Sequence, residues 1–162
     1  MKRLYLIRHA KSSKDVSGVK DKERPLNERG EREAKYIGRR LRRFGISAQA
    51  LYSSPAKRAH ETATRIANEI GFPLGKIKAV DSLYESSIPK LMKIIKKIDN
   101  ETQSAIIFGH NPEFLNLLNY LTARSITEFP TCGVFGIDFN IDSWNKVARG
   151  KGAVAFFECP KK

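Results

Sequence analysis

The feature that most constrains this chain is an alternation. Short apolar runs trade places with longer stretches whose apolar residues recur at helical spacing. Leu4 to Ile7 reads as a buried strand, and Ala34, Ile37, Leu41 and Phe44 then share one helical face that Gly45 closes as a C-terminal cap. The unit repeats. Ala50 to Ser53 reads as a strand, Pro55 suits the first turn of a helix, and Ala59, Ala63, Ile66, Ala67 and Ile70 lie on one face before Gly71. Lys76 to Val80 is a weaker strand, followed by a helix bearing Leu91, Ile94, Ile95 and Ile98. Ser104 to Phe108 is a clean apolar strand, and Glu113 to Ala123 a helix with Phe114, Leu117, Leu118 and Leu121 inward. Two strands close the pattern, Gly133 to Ile141 and Ala153 to Glu158, joined by a polar turn around Trp144 to Gly152.

The resulting order is βαβαβαβαββ, which admits few architectures. Strands joined by crossover helices imply a mainly parallel sheet covered on both faces, with the terminal hairpin as an antiparallel edge. The expected fold is therefore an α/β, three-layer α/β/α sandwich. No repeat, low-complexity tract or long linker divides the chain, so residues 1–162 are expected to form a single domain.

Composition removes several function classes. With 41% hydrophobic residues the chain can bury a core, yet no apolar run approaches the roughly 18–20 residues of a membrane span. Met1 to Ile7 is too short and too basic for the apolar region of a signal peptide, so a cytoplasmic location is expected. Cys132 and Cys159 are the only cysteines and are not spaced as CxxC, which suits reduced thiols. Cys132 as a phosphatase nucleophile would want an arginine six residues on, where Asp138 stands.

The formal net charge is +13, and residues 1–65 hold 18 basic against 7 acidic side chains. Arg29, Arg32, Lys35, Arg39, Arg40, Arg42 and Arg43 crowd one stretch. Such a stretch fits either a nucleic-acid face or a solvated helix that attracts anions generally. Without interleaved aromatics or a zinc-finger, RRM or KH signature, nucleic acid is not the expected partner.

In sheets of this class ligands bind beyond the carboxyl ends of the strands. Arg8-His9 follows the first strand, Ser53-Ser54 with Lys57 and Arg58 the second, Tyr84-Glu85 the third, and Gly109-His110-Asn111 the fourth. All should rise at one end. Guanidinium forks present paired donors to phosphate oxygens, and a neutral imidazole offers a lone pair to phosphorus. His60 falls on a different part of the helix surface from Arg58 and reads as a bystander. Gly71 to Lys76 fails the spacing of a nucleotide-binding P-loop, and the histidines form no HExxH or other metal-ligand cluster. No metal or cofactor is expected.

Four segments carry a specific resemblance: Leu-Ile-Arg8-His9-Ala-Lys-Ser, Arg24-Pro25-Leu26-Asn-Glu-Arg-Gly30, Ser53-Ser54-Pro55-Ala-Lys-Arg58-Ala59-His-Glu-Thr62-Ala63 and Phe108-Gly109-His110-Asn111-Pro112. In that order they resemble the histidine phosphatase superfamily. Arg24-Pro25-Leu26, the small size and Pro130-Thr131-Cys132-Gly133 are similar to its SixA-type phosphohistidine phosphatase branch. The resemblance implies His9 as a nucleophile that becomes transiently phosphorylated, with Arg8, Arg58 and His110 forming the phosphate pocket. Ala10 stands where the commonest family motif has Gly, and Asp15 where mutase relatives often carry Asn. A carboxylate at Asp15 would repel phosphate, so Ser12 is the better extra donor.

Glu85 matches the position where the family's phosphomonoesterases place a leaving-group acid, a role that requires a raised pKa. The function implied is hydrolysis of phosphohistidine or related phosphate groups. A small-molecule phosphomonoesterase or mutase on the same scaffold, and a non-catalytic basic domain binding phosphate or nucleic acid, are the alternatives. Asp81 to Thr102 leaves little chain for a lid, and an open pocket suits a phosphorylated side chain presented by another protein.

Overall fold

The computed structural model describes residues 1–14 and 17–160. Six strands form one sheet: β1 (Lys2–Arg8), β2 (Ala50–Ser53), β3 (Lys78–Ala79), β4 (Ser104–Gly109), β5 (Val134–Phe139) and β6 (Gly152–Glu158). Their order across the sheet is β3-β2-β4-β1-β5-β6. β3, β2, β4 and β1 run parallel, β5 runs against β1, and β6 runs against β5. The expected mainly parallel sheet with an antiparallel edge is what forms.

Four helices cover it: α1 (Glu28–Arg43), α2 (Lys57–Ile70), α3 (Ile88–Lys96) and α4 (Glu113–Thr122). Strand alternation divides the core in two. Leu4, Leu6, Ala105, Ile107 and Ile137 face Leu91, Ile95, Leu117 and Leu121 of α3 and α4. Tyr5, Ile7, Ile106, Phe108 and Val134 face Ile37, Leu41, Ala63 and Ile66 of α1 and α2. Period two in the strands thus feeds both layers of a three-layer sandwich. A register shift after Gly136 lets β6 send Val154 to one layer and Phe156 to the other.

The helix boundaries follow local chemistry. The Asn27 side chain accepts from the Gly30 N–H at 2.8 Å to cap α1, and Ser87 accepts from the Lys90 N–H at 3.3 Å to cap α3. Gly71 ends α2 at φ 79°, a left-handed value that suits glycine. Two expectations shift. Phe44 is not inward: α1 has ended at Arg43, and Phe44 lies 53% exposed with its ring edge against Phe156. Pro55 precedes α2 rather than opening it, because the chain needs an extended residue, Ala56, to turn out of β2. Among the described residues, no helix is long and apolar enough to cross a membrane.

Candidate active site

Parallel pairing of β1 and β4 sets Arg8 opposite Gly109, so the next residues, His9 and His110, leave the sheet at the same level. Their ring centres lie 5.2 Å apart. The His9 N–H donates to the Gly109 carbonyl at 3.0 Å, extending the ladder by one bond. On the other side, the Cys132 N–H donates to the carbonyls of Arg8 and His9 at 3.0 and 3.1 Å. The nucleophile candidate therefore stands on backbone fixed from both neighbours.

The loop after His9 is pinned as well. The Ala10 N–H donates to Thr62 Oγ1 at 3.0 Å, and that hydroxyl donates to the Arg58 carbonyl at 2.7 Å, tying the loop to α2. Ala10 is fully buried, so its methyl is packed where the commonest family motif has glycine. Across the loop, α1 packs so closely that a Cβ on Gly30 would lie 2.0 Å from the Lys11 carbonyl oxygen. Only glycine permits that approach.

The His9 imidazole has a defined tautomer. Its Nδ1 lies 2.7 Å from the Ala10 carbonyl oxygen, which can only accept, so Nδ1 carries the proton and Nε2 the lone pair. His9 lines a cavity of about 540 Å³ together with Arg8, Ser12, Arg58, His110 and Asn111. Arg8 donates through Nη1 to the Phe129 carbonyl at 2.9 Å. His110 Nε2 lies 2.8 Å from Ser54 Oγ.

Burial holds His9 down to about 3, with His110, Arg58 and Arg8 adding smaller electrostatic effects and the Ala10 carbonyl opposing. Desolvation contributes more, because the ring is only 9% exposed. Burial likewise takes His110 down to about 4, with Arg58 next. Burial lowers Arg8 as well.

Five candidates from the sequence, Arg8, His9, Ser12, Arg58 and His110, share this cavity. Glu85 does not line it. It is exposed at φ 50°, while its neighbour Tyr84 turns inward, its ring 5.7 Å from that of His110. Asp15 lies outside the described residues. His60 is exposed on α2. The Cys132 thiol is fully buried and burial pushes it well above the ordinary thiol range, which removes it from nucleophilic chemistry. Among the described residues, no group of three or more His, Cys, Asp or Glu is placed to hold a metal ion.

Sequence reasoning missed Asp21 and gave Arg24 no role beyond its motif. Asp21 opens a short 3-10 turn (Asp21–Glu23) over the cavity. Its carbonyl accepts from Arg58 Nη1 at 2.8 Å and its carboxylate from Arg58 Nη2 at 3.1 Å. The same carboxylate accepts from the Tyr84 hydroxyl at 2.6 Å and from Arg24 Nε at 2.9 Å. These bonds, the tyrosine's first, hold Asp21 well below the usual carboxylate range. Arg24 also donates to Ser12 Oγ at 2.9 Å, so one network joins the rim to the loop after His9.

A family model described as histidine phosphatase superfamily (branch 1) matches residues 4–116. An uncharacterised protein of Mycobacterium leprae is 31% identical over 167 residues, covering 96% of this chain and all of its own. Among solved structures, a protein provisionally designated phosphohistidine phosphatase SixA from Agrobacterium tumefaciens superposes with a TM-score of 0.85 at 25% identity, covering 98% of each chain. A protein histidine phosphatase SixA complexed with tungstate has a TM-score of 0.84 at 18% identity, covering 98% of this chain and 97% of its own, a likeness of fold.

Proposed function

The chain belongs to the histidine phosphatase superfamily and is a phosphatase of that class; on that premise we propose that it hydrolyses phosphohistidine carried by another protein, through a phosphorylated His9. The observation that carries the mechanism is the Nδ1–H bond to the Ala10 carbonyl. It leaves Nε2 as the ring nitrogen whose lone pair is free to attack phosphorus.

In the first step a bond forms from His9 Nε2 to phosphorus, the phosphorus–nitrogen bond to the substrate imidazole breaks, and the leaving nitrogen takes a proton from solvent at the open rim. In the second, water attacks the phosphoryl group on His9, releasing inorganic phosphate and restoring the neutral ring. Charge spreads over the equatorial oxygens in both transition states, where Arg8 and Arg58 supply guanidinium charge beside the nucleophile. His110 packs against the attacking ring and adds a second desolvated imidazole at the same level.

The rim supports a nitrogen leaving group. The carboxylate that lines the cavity, Asp21, is held ionised and is a poor proton donor at neutral pH. The leaving group of an alkyl phosphate is a strongly basic alkoxide that needs an acid, whereas an imidazole is readily protonated near neutrality. Relatives of known structure include a protein histidine phosphatase SixA, which agrees with this reading.

Brief mixing with a radiolabelled phosphohistidine peptide tests it. The chain should acquire an acid-labile, base-stable label that is absent in His9→Ala, and kcat/KM should favour the phosphohistidine peptide over an alkyl phosphate by orders of magnitude. A preference for the alkyl ester would assign the chain to small-molecule monoesters instead.

A further inference from the structure

The two lysine- and arginine-rich helices use their charge differently. On α1, Arg29 meets Glu33, Arg39 and Arg42 meet Glu69, and Arg40 meets Glu158 at 2.9 Å. The basic stretch that stood out in the sequence is largely answered from within. From Ile88 to Lys97 the chain carries Lys90, Lys93, Lys96 and Lys97 and no acidic residue. Among the described residues none of these four forms an ion pair.

Lys90, Lys93 and Lys97 line a cavity of about 460 Å³ whose apolar floor is Tyr52, Val80 and Ile94. Lys78, which lies outside the lining, places its ammonium 5.8 Å from the centre of the Tyr52 ring. Acidic residues stand nearby, Asp81 between the lining residues Val80 and Ser82, and Asp99, which acts on Tyr52 more weakly than burial does, but neither lines the cavity. Lysine stems often lie over apolar surface with their heads in water. Here they instead border a ligand-sized hollow with half-buried apolar walls. The same short segment serves both sites: Val80 and Ser82 line the lysine cavity, and Tyr84, two residues on, touches Asp21 and His110.

We propose that this cavity docks an acidic amphipathic segment of the phosphorylated substrate protein while its phosphohistidine enters the catalytic cavity. The inference rests on the phosphoprotein reading above and names the chemistry of the partner. Carboxylates would meet the lysines, and apolar side chains between them would cover Tyr52, Val80 and Ile94. From Lys90 to Lys97 a helix rises about 10 Å, which spans carboxylates on successive turns of a partner helix. Charge complementarity of this kind acts mainly on encounter rate and selectivity, and salt weakens it.

Two synthetic phosphohistidine peptides of equal length test the docking site, one with an acidic amphipathic helix beside the phosphohistidine and one with its carboxylates replaced by amides. In the Lys90→Glu/Lys93→Glu/Lys97→Glu variant, kcat/KM for the acidic peptide should fall about tenfold or more at low salt, since reversal turns attraction into repulsion. Turnover of the amide peptide and of an aryl phosphate should stay unchanged, which also shows that the variant folds. The triple Lys→Gln variant should show a smaller loss. Fluorescence anisotropy with the unphosphorylated acidic peptide reads binding without turnover. If that binding is lysine-dependent while phosphohistidine is not hydrolysed, the substrate assignment fails and the docking surface stands. Equal binding of the two peptides, binding untouched by charge reversal, or tighter binding of single-stranded RNA or phosphatidylserine vesicles would overturn the proposal.

Discussion

Arg8, His9 and His110 stand on the ends of central strands paired in parallel, whereas Asp21, Arg24 and Tyr84 stand on short turns tied together by side-chain bonds. His9 and His110 are buried, His110 only 6% exposed, and Arg8 is half-buried, while the Asp21 side chain is 55% exposed. Arg58 joins the two. It is buried on α2, yet both its Nη groups donate to Asp21. A phosphate binding to Arg58 therefore competes with Asp21, and the bonds it displaces lie at the solvent-facing rim. On the proposed mechanism the floor would govern the chemical step and the rim admission.

The largest effect should come from the floor. His9→Ala removes the attacking nitrogen, so turnover should fall to background while circular dichroism stays that of the parent. Wild-type-like hydrolysis would erase the distinction between floor and rim.

Next in size is the response to acid. Both histidines are held below their ordinary value near 6.5, His9 to about 3 and His110 to about 4, each mainly by burial. The folded state thus binds fewer protons than the unfolded chain at acid pH. Their contribution to stability is complete above about 6.5 and declines as pH falls from there through 4 to 3. Denaturant midpoints measured from pH 7 to pH 4 should drop, and less steeply in His110→Gln. Over the same titration, kcat/KM corrected for substrate ionisation should show no acid limb near 6.5. A limb there would mean that His9 titrates as a solvated ring.

A smaller effect belongs to Asp21→Asn, which removes the charge that occupies Arg58. We expect KM for a phosphoramidate to fall a few-fold with kcat little altered. A fall in kcat instead would move Asp21 from the rim into the chemical step. The smallest belongs to Glu85→Gln. Because Glu85 is exposed and off the cavity wall, hydrolysis of alkyl phosphate and phosphoramidate should change little. A loss of about 10²-fold or more on the alkyl ester alone would restore Glu85 as the leaving-group acid.

The same contrast explains what could be read from residues alone. Leu4 to Ile7 and Ser104 to Phe108 are continuous apolar runs, and a polar residue directly after such a run must emerge at a strand end; that logic located His9 and His110. Asp21 offered no such signal. In Lys20-Asp21-Lys22-Glu23 it reads as one charge in a solvated loop, and its role depends on Arg58, 37 residues away, and Tyr84, 63 residues away. Phe44 shows the opposite failure, because helical spacing persisted one residue past the end of the helix. Local pattern places what regular elements carry. Contacts between turns depend on how those elements pack.

The central position of β1 has a consequence in time. This strand is synthesised well before its neighbours, β4, which begins at Ser104, and β5, which begins at Val134. A nascent chain exposes His9 long before either flank exists, and closing such distant pairings is slow compared with forming local helices. Until both flanks arrive, the ring is a solvated imidazole of ordinary basicity with no fixed tautomer. Catalytic competence should therefore appear abruptly and late in biosynthesis, when the strand that carries His9 becomes the middle of a sheet.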